Sequence, residues 1–182
     1  MKDEKEIAPQ INLLEIAARR GVSLGVCLSM VFLMIVNSAS SPLLALVALF
    51  FIIFVIPFLM LLKLRMVYTG TGQILSFTQM WSSGVMIFAF GSLICALVSC
   101  IWLQYIDPGF IYNQAREAVA AYEQVPELRN SELVTVLKAA IKDGNLPTAI
   151  EFTFNMMWVT IMSGALLSLP LAALARIKVK KR

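Results

Sequence analysis

The sequence predicts an all-α integral membrane protein, a bundle of four spans with an external amphipathic helical hairpin between spans three and four. The first reason is composition, because 59% of the residues are hydrophobic and 14% are charged, whereas soluble domains have about 25% charged residues. The second reason is that four apolar stretches contain no charged side chain, namely 21–36, 43–62, 80–103 and 152–175. A hydrocarbon core about 30 Å thick needs roughly 20 helical residues, and lipid leaves the backbone no partner outside its own helix. The remaining length of this 182-residue chain leaves no room for a separate soluble catalytic domain.

The spans divide the chain into four segments, and its charges predict their orientation. Residues 1–20 form an N-terminal arm with an interfacial helix that leads into span one, residues 21–103 hold spans one to three, residues 104–149 form the insert, and residues 150–182 hold span four and a basic tail. The arm, the connection between spans two and three, and the tail carry four, two and five of the 15 Lys and Arg residues. By the positive-inside rule, both termini of this multi-pass protein are expected to lie in the cytoplasm.

Spans one, three and four each contain small side chains at intervals of four residues. This spacing lets helix backbones approach closely in a membrane. We expect the stripes to pack inside one chain in preference to forming a dimer, and to place these spans at the centre of the bundle. The predicted packing residues are Gly21, Gly25, Ser29, Gly91, Cys95, Ser99, Gly164, Ser168 and Ala172.

The second span lacks such a stripe and is rich in phenylalanine, which is typical of a helix that faces lipid. Ser41 is expected to cap this span, with Pro42 in its first turn. Pro57 lies inside it and removes one backbone hydrogen bond, so it predicts a kink near the cytoplasmic end. A hinge at Pro57 is the alternative interpretation.

The insert is long enough to carry structure of its own, and two amphipathic helices fit its sequence. For the first, Asp107 is the expected N-cap and Pro108 the first helical residue. The apolar stripe of this first helix is predicted to contain Ile111, Ala115, Ala118, Val119 and Tyr122.

The second insert helix is expected to begin after Asn130 or Ser131 and to end at Gly144. Thr148 and Glu151 then predict a capping box at the start of span four. The two apolar faces have four alternative partners, which are each other, the ends of the spans, the lipid surface and another protein. The apolar face of the second helix is predicted to contain Leu133, Leu137, Ala140 and Ile141.

The residue types exclude most catalytic chemistry. The chain has no histidine, its three cysteines lie in apolar spans, and the carboxylates of the insert are spread apart, so no catalytic residue, cofactor or metal site is expected. Despite a pI near 9.1, nucleic acid binding is not expected, because the basic residues flank the spans. Four of these residues are candidate contacts for lipid phosphate, with topology anchors as the competing interpretation: Lys63, Arg65, Arg176 and Lys178.

Three sequence motifs resemble a known family. They are the segment 70–79, Gly91-Ser92-Leu93-Ile94, and Tyr105-Ile106-Asp107-Pro108-Gly109-Phe110. The chain resembles a bacterial family of four-span membrane proteins, typical of Bacteroidota, known as domain of unknown function 4199. The resemblance implies an inner-membrane location and an accessory role beside glycosyltransferases that use lipid-linked sugars, and it supplies no catalytic residues.

The sequence therefore favours a non-catalytic accessory or scaffold subunit that supports envelope or lipid-linked glycan assembly. Its expected partners are membrane lipid and a membrane enzyme of the glycosyltransferase class, and a homo-oligomer remains an alternative. A small transporter or flippase is the competing function, and a sensor with a ligand-binding insert is a third. The transporter would line its cavity with Ser99, Asn155, Thr160 and Ser163.

Overall fold

The computed structural model describes residues 13–38, 41–70, 75–125 and 131–176, and every element in these ranges is helical. Two π-helical turns, Phe51–Val55 and Trp102–Ile106, lie within the second span and at the end of the third. Four helical stretches are long and apolar enough to cross a membrane, which confirms the predicted all-α class with its four apolar helices; they are Leu14–Val36, Pro42–Thr69, Phe77–Ile106 and Ala149–Ala175. In chain order the helices are α1 (Leu13–Val36), α2 (Pro42–Phe50), α3 (Ile56–Gly70), α4 (Phe77–Ile101), α5 (Phe110–Gln124), α6 (Glu132–Asp143) and α7 (Ala149–Ala175).

The second span begins next to the predicted residue, at Pro42, whereas the first begins at Leu14 and not at Gly21. Residues 13–20 belong to the predicted interfacial helix, and the structure makes them the first turns of α1, which passes Gly21 without a break. The remainder of that arm, residues 1–12, lies outside the described residues. Ser41 occupies the N-cap position of α2, although its side chain makes no capping hydrogen bond, and Pro42 stands in the first turn as predicted.

Reciprocal capping boxes start the other two spans. Before α7, Glu151 Oε2 accepts from the Thr148 N–H at 2.8 Å, and Thr148 Oγ1 accepts from the Glu151 N–H at 3.3 Å, which confirms the predicted pair. Before α4, Gln79 Oε1 accepts from the Ser76 N–H at 2.9 Å, and Ser76 Oγ accepts from the Gln79 N–H at 3.3 Å. The second box, Ser76-x-x-Gln79, has the same spacing as the first and marks where the third span begins.

A π-helical turn lies immediately before Pro57. In a regular α-helix the ring of Pro57 would press on the carbonyl of Ile53, four residues back, and would leave that carbonyl without a donor. The π turn brings in one additional residue, so that the Ile56 N–H bonds to the Phe51 carbonyl, five residues back. This shift from four-residue to five-residue hydrogen bonding accommodates Pro57 within the second span. The sequence predicted a kink at the same residue.

The described residues form two compact units, one made of those within 13–95 and 158–176, and the other of those within 96–157. The first unit contains α1, the second span and parts of α4 and α7. The second span gives this unit one narrow buried stripe, while Leu43, Leu46, Phe54 and Phe58 on its other sides are exposed. The largest fully buried side chains of the unit are Leu24, Met60, Leu64, Val67, Met80 and Ile87.

The second unit contains the end of α4, the helices α5 and α6, and the start of α7. Lys138 of α6 forms an ion pair with Glu123 of α5 at 2.6 Å. Ser131 caps α6 by accepting from the Val134 N–H at 3.4 Å, and Gly144 ends α6 in the left-handed conformation at φ 69°. Both ends of this predicted helix are confirmed.

The predicted start of α5 is wrong. The helix begins at Phe110 with Gly109 at its N-cap, so Asp107 and Pro108 belong to the preceding turn. The second π turn ends at Asp107, whose N–H bonds to the Trp102 carbonyl at 3.1 Å. The Asp107 carbonyl then accepts from the Phe110 N–H at 3.2 Å, which gives a β-turn with Pro108 at its second position.

The apolar face of α6 is also placed differently from the prediction at one position. Val134 is 1% exposed, whereas Leu133 is 75% exposed, and Leu137, Ala140 and Ile141 are half-buried. The apolar arc of α6 is wide enough to include both Leu133 and Val134, and only the tertiary contact decides which of them is covered.

Candidate functional site

Arg20 of α1 and Lys63 of α3 meet in the first unit. Arg20 Nη1 donates to the Lys63 carbonyl at 2.7 Å. The Lys63 ammonium donates to the Ser23 hydroxyl, and the Ser23 hydroxyl donates to the Arg20 carbonyl at 3.2 Å. The three hydrogen bonds form a closed ring between two helices. We call these three residues, Arg20, Ser23 and Lys63, the basic cluster.

The sequence explains why these two cations lie at one level. Arg20 is the last charged residue before the first apolar stretch, and Lys63 is the first one after the second stretch. The first two spans follow each other with a short connection, so the start of one lies beside the end of the other. In the sequence, Arg20 served only to orient the chain. Arg20 and Lys63 stand at similar numbers of residues from the short connection between the first two spans, and this could have shown that they are neighbours.

The basic cluster has no acidic member. Neither Arg20 nor Lys63 forms an ion pair within the part of the chain that the structure describes. Glu15, the acidic residue in the first turn of α1, is exposed. It precedes Arg20 by five positions, which places it on a different side of the helix. Two positive charges are therefore held together without a carboxylate between them.

The other predicted phosphate contacts do not join this ring. Arg65 follows Lys63 by two positions and projects roughly 200° away around the helix. The Nε atom of Arg65 is buried and has no hydrogen-bond partner among the described residues. The side chain of Arg176 is exposed just after the end of α7, and Lys178 lies outside the described residues.

The small-residue stripe of span one packs against span three inside one chain. A Cβ placed on Gly21 would lie 2.6 Å from the Phe90 Cβ, and one on Gly25 would lie 2.8 Å from the Ile94 Cβ. A Cβ on Gly91 would lie 3.3 Å from the Gly21 carbonyl oxygen. No side chain larger than hydrogen fits at Gly21 or Gly25 without moving α4, so the close approach of the two helices requires glycine.

Span four meets span three at residues that the sequence did not pair. Gly164 faces the ring of Phe88. Ser168 faces Gly84, where an added Cβ would lie 2.7 Å from the Ser168 Oγ. Gly84 was missed, although it precedes Gly91 by seven positions and so lies on nearly the same side of α4.

The remaining predicted packing residues are buried. Ser29 bonds back to the Gly25 carbonyl at 2.8 Å. Ala172 and Ser99 are fully buried, and the Cys95 side chain is 7% exposed.

One polar side chain in the fourth span differs from its neighbours. The hydroxyl of Thr153 bonds back to the Ala149 carbonyl at 2.8 Å, Ser163 bonds to the Thr160 carbonyl at 3.1 Å, and Ser168 does the same within its own turn. Asn155 is exposed, and its amide has no hydrogen bond to another residue of the described ranges. Of the side chains expected to line a transport cavity, Asn155 and Ser163 are exposed, whereas Ser99 is fully buried.

The described residues contain no group of three or more Cys, Asp or Glu side chains that could hold a metal ion. Within the second unit, α5 and α6 enclose an open groove beside the Glu123–Lys138 ion pair. The groove is lined by side chains of both charges, Arg116, Glu123, Lys138 and Lys142, together with Val119, Ala120 and Ile141.

Comparison with known proteins identifies a matching family. A family described as protein of unknown function (DUF4199) matches residues 20–176, which is most of the chain. No curated protein and no solved structure shows significant similarity to the chain. The matched range includes the basic cluster, the first apolar helix from Arg20 onward, the other three apolar helices, and α5 and α6.

Proposed function

The chain belongs to the DUF4199 family, and we propose that it is a non-catalytic accessory subunit of the bacterial inner membrane. It binds and stabilises a membrane enzyme of envelope or lipid-linked glycan assembly. Both of its termini lie in the cytoplasm, and α5 and α6 lie on the opposite side of the membrane. The clustering of Lys and Arg in the arm, the second connection and the tail supports this orientation.

The exposed amide of Asn155 is the observation that carries the proposal. Asn155 is the seventh residue of α7, so it lies roughly 9 Å along the helix axis from Ala149. At this position it is past the capping box and inside the apolar stretch. A primary amide that faces hydrocarbon loses its hydrogen bonds to water, and a polar side chain on a neighbouring membrane helix restores them.

The neighbouring helix belongs to another protein in this proposal. The hydroxyls of Thr153, Ser163 and Ser168 need no such partner, because they bond to carbonyls of their own helix. The Asn155 amide both donates and accepts, so it suits a polar side chain of either kind on the other helix. Each such bond across membrane helices contributes about 0.6 to 2 kcal/mol, enough to orient a complex that van der Waals contacts hold together.

A second surface of the same unit supports a partner outside the membrane core. Leu133 and Val136 lie three positions apart on α6 and are 75% and 60% exposed. Val134, on the other half of the apolar arc of α6, is buried, whereas these two side chains remain exposed. A soluble part of the same partner would cover these two side chains.

Site-specific photocrosslinking in the native membrane tests the proposal. A photoreactive amino acid at Asn155 is expected to capture one protein in near-stoichiometric yield. The same amino acid at Leu46, which is 65% exposed on the second span, serves as the matched control and is expected to capture lipid.

Substitution at the same position provides the second arm of this test. Asn155→Leu should lose the partner in mild-detergent purification, whereas Asn155→Gln, which keeps an amide, should retain most of it. Capture of lipid alone at both positions, with the protein purified repeatedly without a partner, would refute an accessory role at this surface.

A further inference from the structure

We infer that the basic cluster binds the phosphate group of an anionic lipid headgroup, in the leaflet at the Arg20 end of the spans. This inference is separate from the proposed function, because it concerns a lipid in the first unit and requires no protein partner. It rests on the ring of Arg20, Ser23 and Lys63, and on the depth and charge of that ring.

The depth of the basic cluster matches the headgroup region. Arg20 lies 16 residues before Val36, the end of α1, which is about 24 Å along the helix axis. Lys63 lies 21 residues after Pro42, the start of the second span, which is about 32 Å. The hydrocarbon core is about 30 Å thick, so the backbone of Lys63 reaches the edge of the core, and the long side chain of Arg20 extends to the same level, where lipid phosphates lie.

The ring leaves hydrogen-bond donors of both cations unused. An arginine side chain has five N–H donors, and Arg20 spends one nitrogen, Nη1, on the Lys63 carbonyl. A lysine ammonium has three donors, and Lys63 spends one on Ser23. Both side chains are half-buried, so the unused donors are accessible yet held in place. Phosphate oxygens are strong acceptors for donors of this charged kind.

The charge of the basic cluster calls for an anion. Two positive groups repel each other, and the repulsion is stronger at the edge of a low-dielectric core than in water. The described residues give neither of them an ion-pair partner. A phosphodiester between Arg20 and Lys63 would offset this repulsion and would join α1 to α3. Arg65 is not part of the site, because it projects to another side of α3.

Lipid retention by the purified protein tests the inference. In nanodiscs of phosphatidylcholine doped with phosphatidylglycerol, native mass spectrometry should show the wild-type chain retaining phosphatidylglycerol after the bulk lipid is stripped. Arg20→Gln should lower this retention about tenfold, since a hydrogen bond between charged groups is lost. Arg176→Gln removes the same charge from an exposed position, and it should leave retention unchanged.

Two further arms keep the test decisive. Lys63→Arg preserves the charge and should retain the lipid, whereas Lys63→Gln should not. The wild-type chain should also unfold at a higher temperature in the doped nanodiscs than in pure phosphatidylcholine, a result that requires no variant to fold. Inorganic phosphate added to phosphatidylcholine nanodiscs should not reproduce that shift.

Three results would overturn the inference. The first is equal loss of phosphatidylglycerol in Arg20→Gln and Arg176→Gln. The second is an identical unfolding temperature of the wild-type chain in both kinds of nanodisc. The third is full stabilisation by inorganic phosphate, which would remove the lipid as the source of the phosphate group. None of these results depends on whether a protein partner contacts Asn155.

Discussion

At the scale of single residues, the identity of four glycines matters because of what lies opposite each of them. Gly21 and Gly25 lie against α4, Gly84 against Ser168, and Gly164 against the ring of Phe88. Van der Waals contact between helices is a main source of stability in a bilayer, where lipid chains are as apolar as leucine. A small change of volume at these positions should therefore have a measurable effect.

Gly164→Ala should lower the free energy of unfolding by about 1 to 3 kcal/mol, because the added methyl group would overlap the ring of Phe88. Unfolding by sodium dodecyl sulfate in mixed micelles would measure the change. Gly109→Ala is the matched control, since its added Cβ would meet Asn113 Nδ2 only at 3.5 Å, an ordinary contact. Equal stability of the two variants would show that Gly164 does not approach Phe88 as described.

Local signals of single residues were predicted well from the sequence. Gly144 and the pair Thr148 and Glu151 end and start helices through contacts within four positions, so the sequence contains all the information needed. Asp107 was misplaced because it begins a β-turn, in which its carbonyl accepts from the Phe110 N–H, and the helix starts only after that turn. The ring of Arg20 and Lys63 joins residues 43 positions apart, and no local pattern reports such a pairing.

At the scale of helices, the glycines of the first span lie directly against the third span. The predicted stripe of Gly21 and Gly25 is covered by α4 of the same chain, so it is not available for a second copy. The partner of each stripe could not be read from the sequence, because the same spacing suits any helix with a matching surface. The unexpected pairing of Gly84 with Ser168 illustrates this ambiguity.

A cysteine pair should connect these two helices within one chain. Gly25→Cys with Ile94→Cys, in a background where Cys27, Cys95 and Cys100 are replaced by alanine, should form an intramolecular disulfide on mild oxidation. The reason is that a Cβ at position 25 lies next to the Ile94 Cβ, so small backbone shifts bring the two sulfur atoms into bonding range. Electrophoretic mobility after cleavage of the 71–74 connection by an inserted protease site would detect it.

The control for this crosslink places the first cysteine on another side of α1. Val22 is 51% exposed, so Val22→Cys with Ile94→Cys should remain reduced under the same conditions. A covalent dimer in place of the internal crosslink would indicate that the glycine stripe joins two copies of the chain.

At the scale of the whole molecule, hydrophobicity alone predicted the four spans because crossing a bilayer requires length and apolarity and little else. The structure extends each span beyond the charge-free stretch, to Leu14 in the first and Thr69 in the second. Arg20 and Lys63 lie in these extensions. A search for uncharged stretches therefore leaves out the two residues that form the polar contact between the first two spans.

The proposed orientation can be tested with single cysteines in the cysteine-free background. Cysteines in place of Lys2 and Lys180 should be protected from a membrane-impermeant thiol reagent in intact cells, and Asn113→Cys should be labelled. The charge distribution of the chain predicts this pattern. Labelling of positions 2 and 180 from opposite sides would rule out an even number of spans.

The π turn at Phe51–Val55 sets the angular phase of the rest of the second span. A helix rotates by about 100° per residue, so deleting one residue of this turn would swing the Lys63 side chain more than a quarter of a revolution away from Arg20. Chain length in this apolar segment is thereby linked to a polar junction about two helical turns further on. A homologous sequence that is one residue shorter here would need a compensating change to keep the two cations side by side.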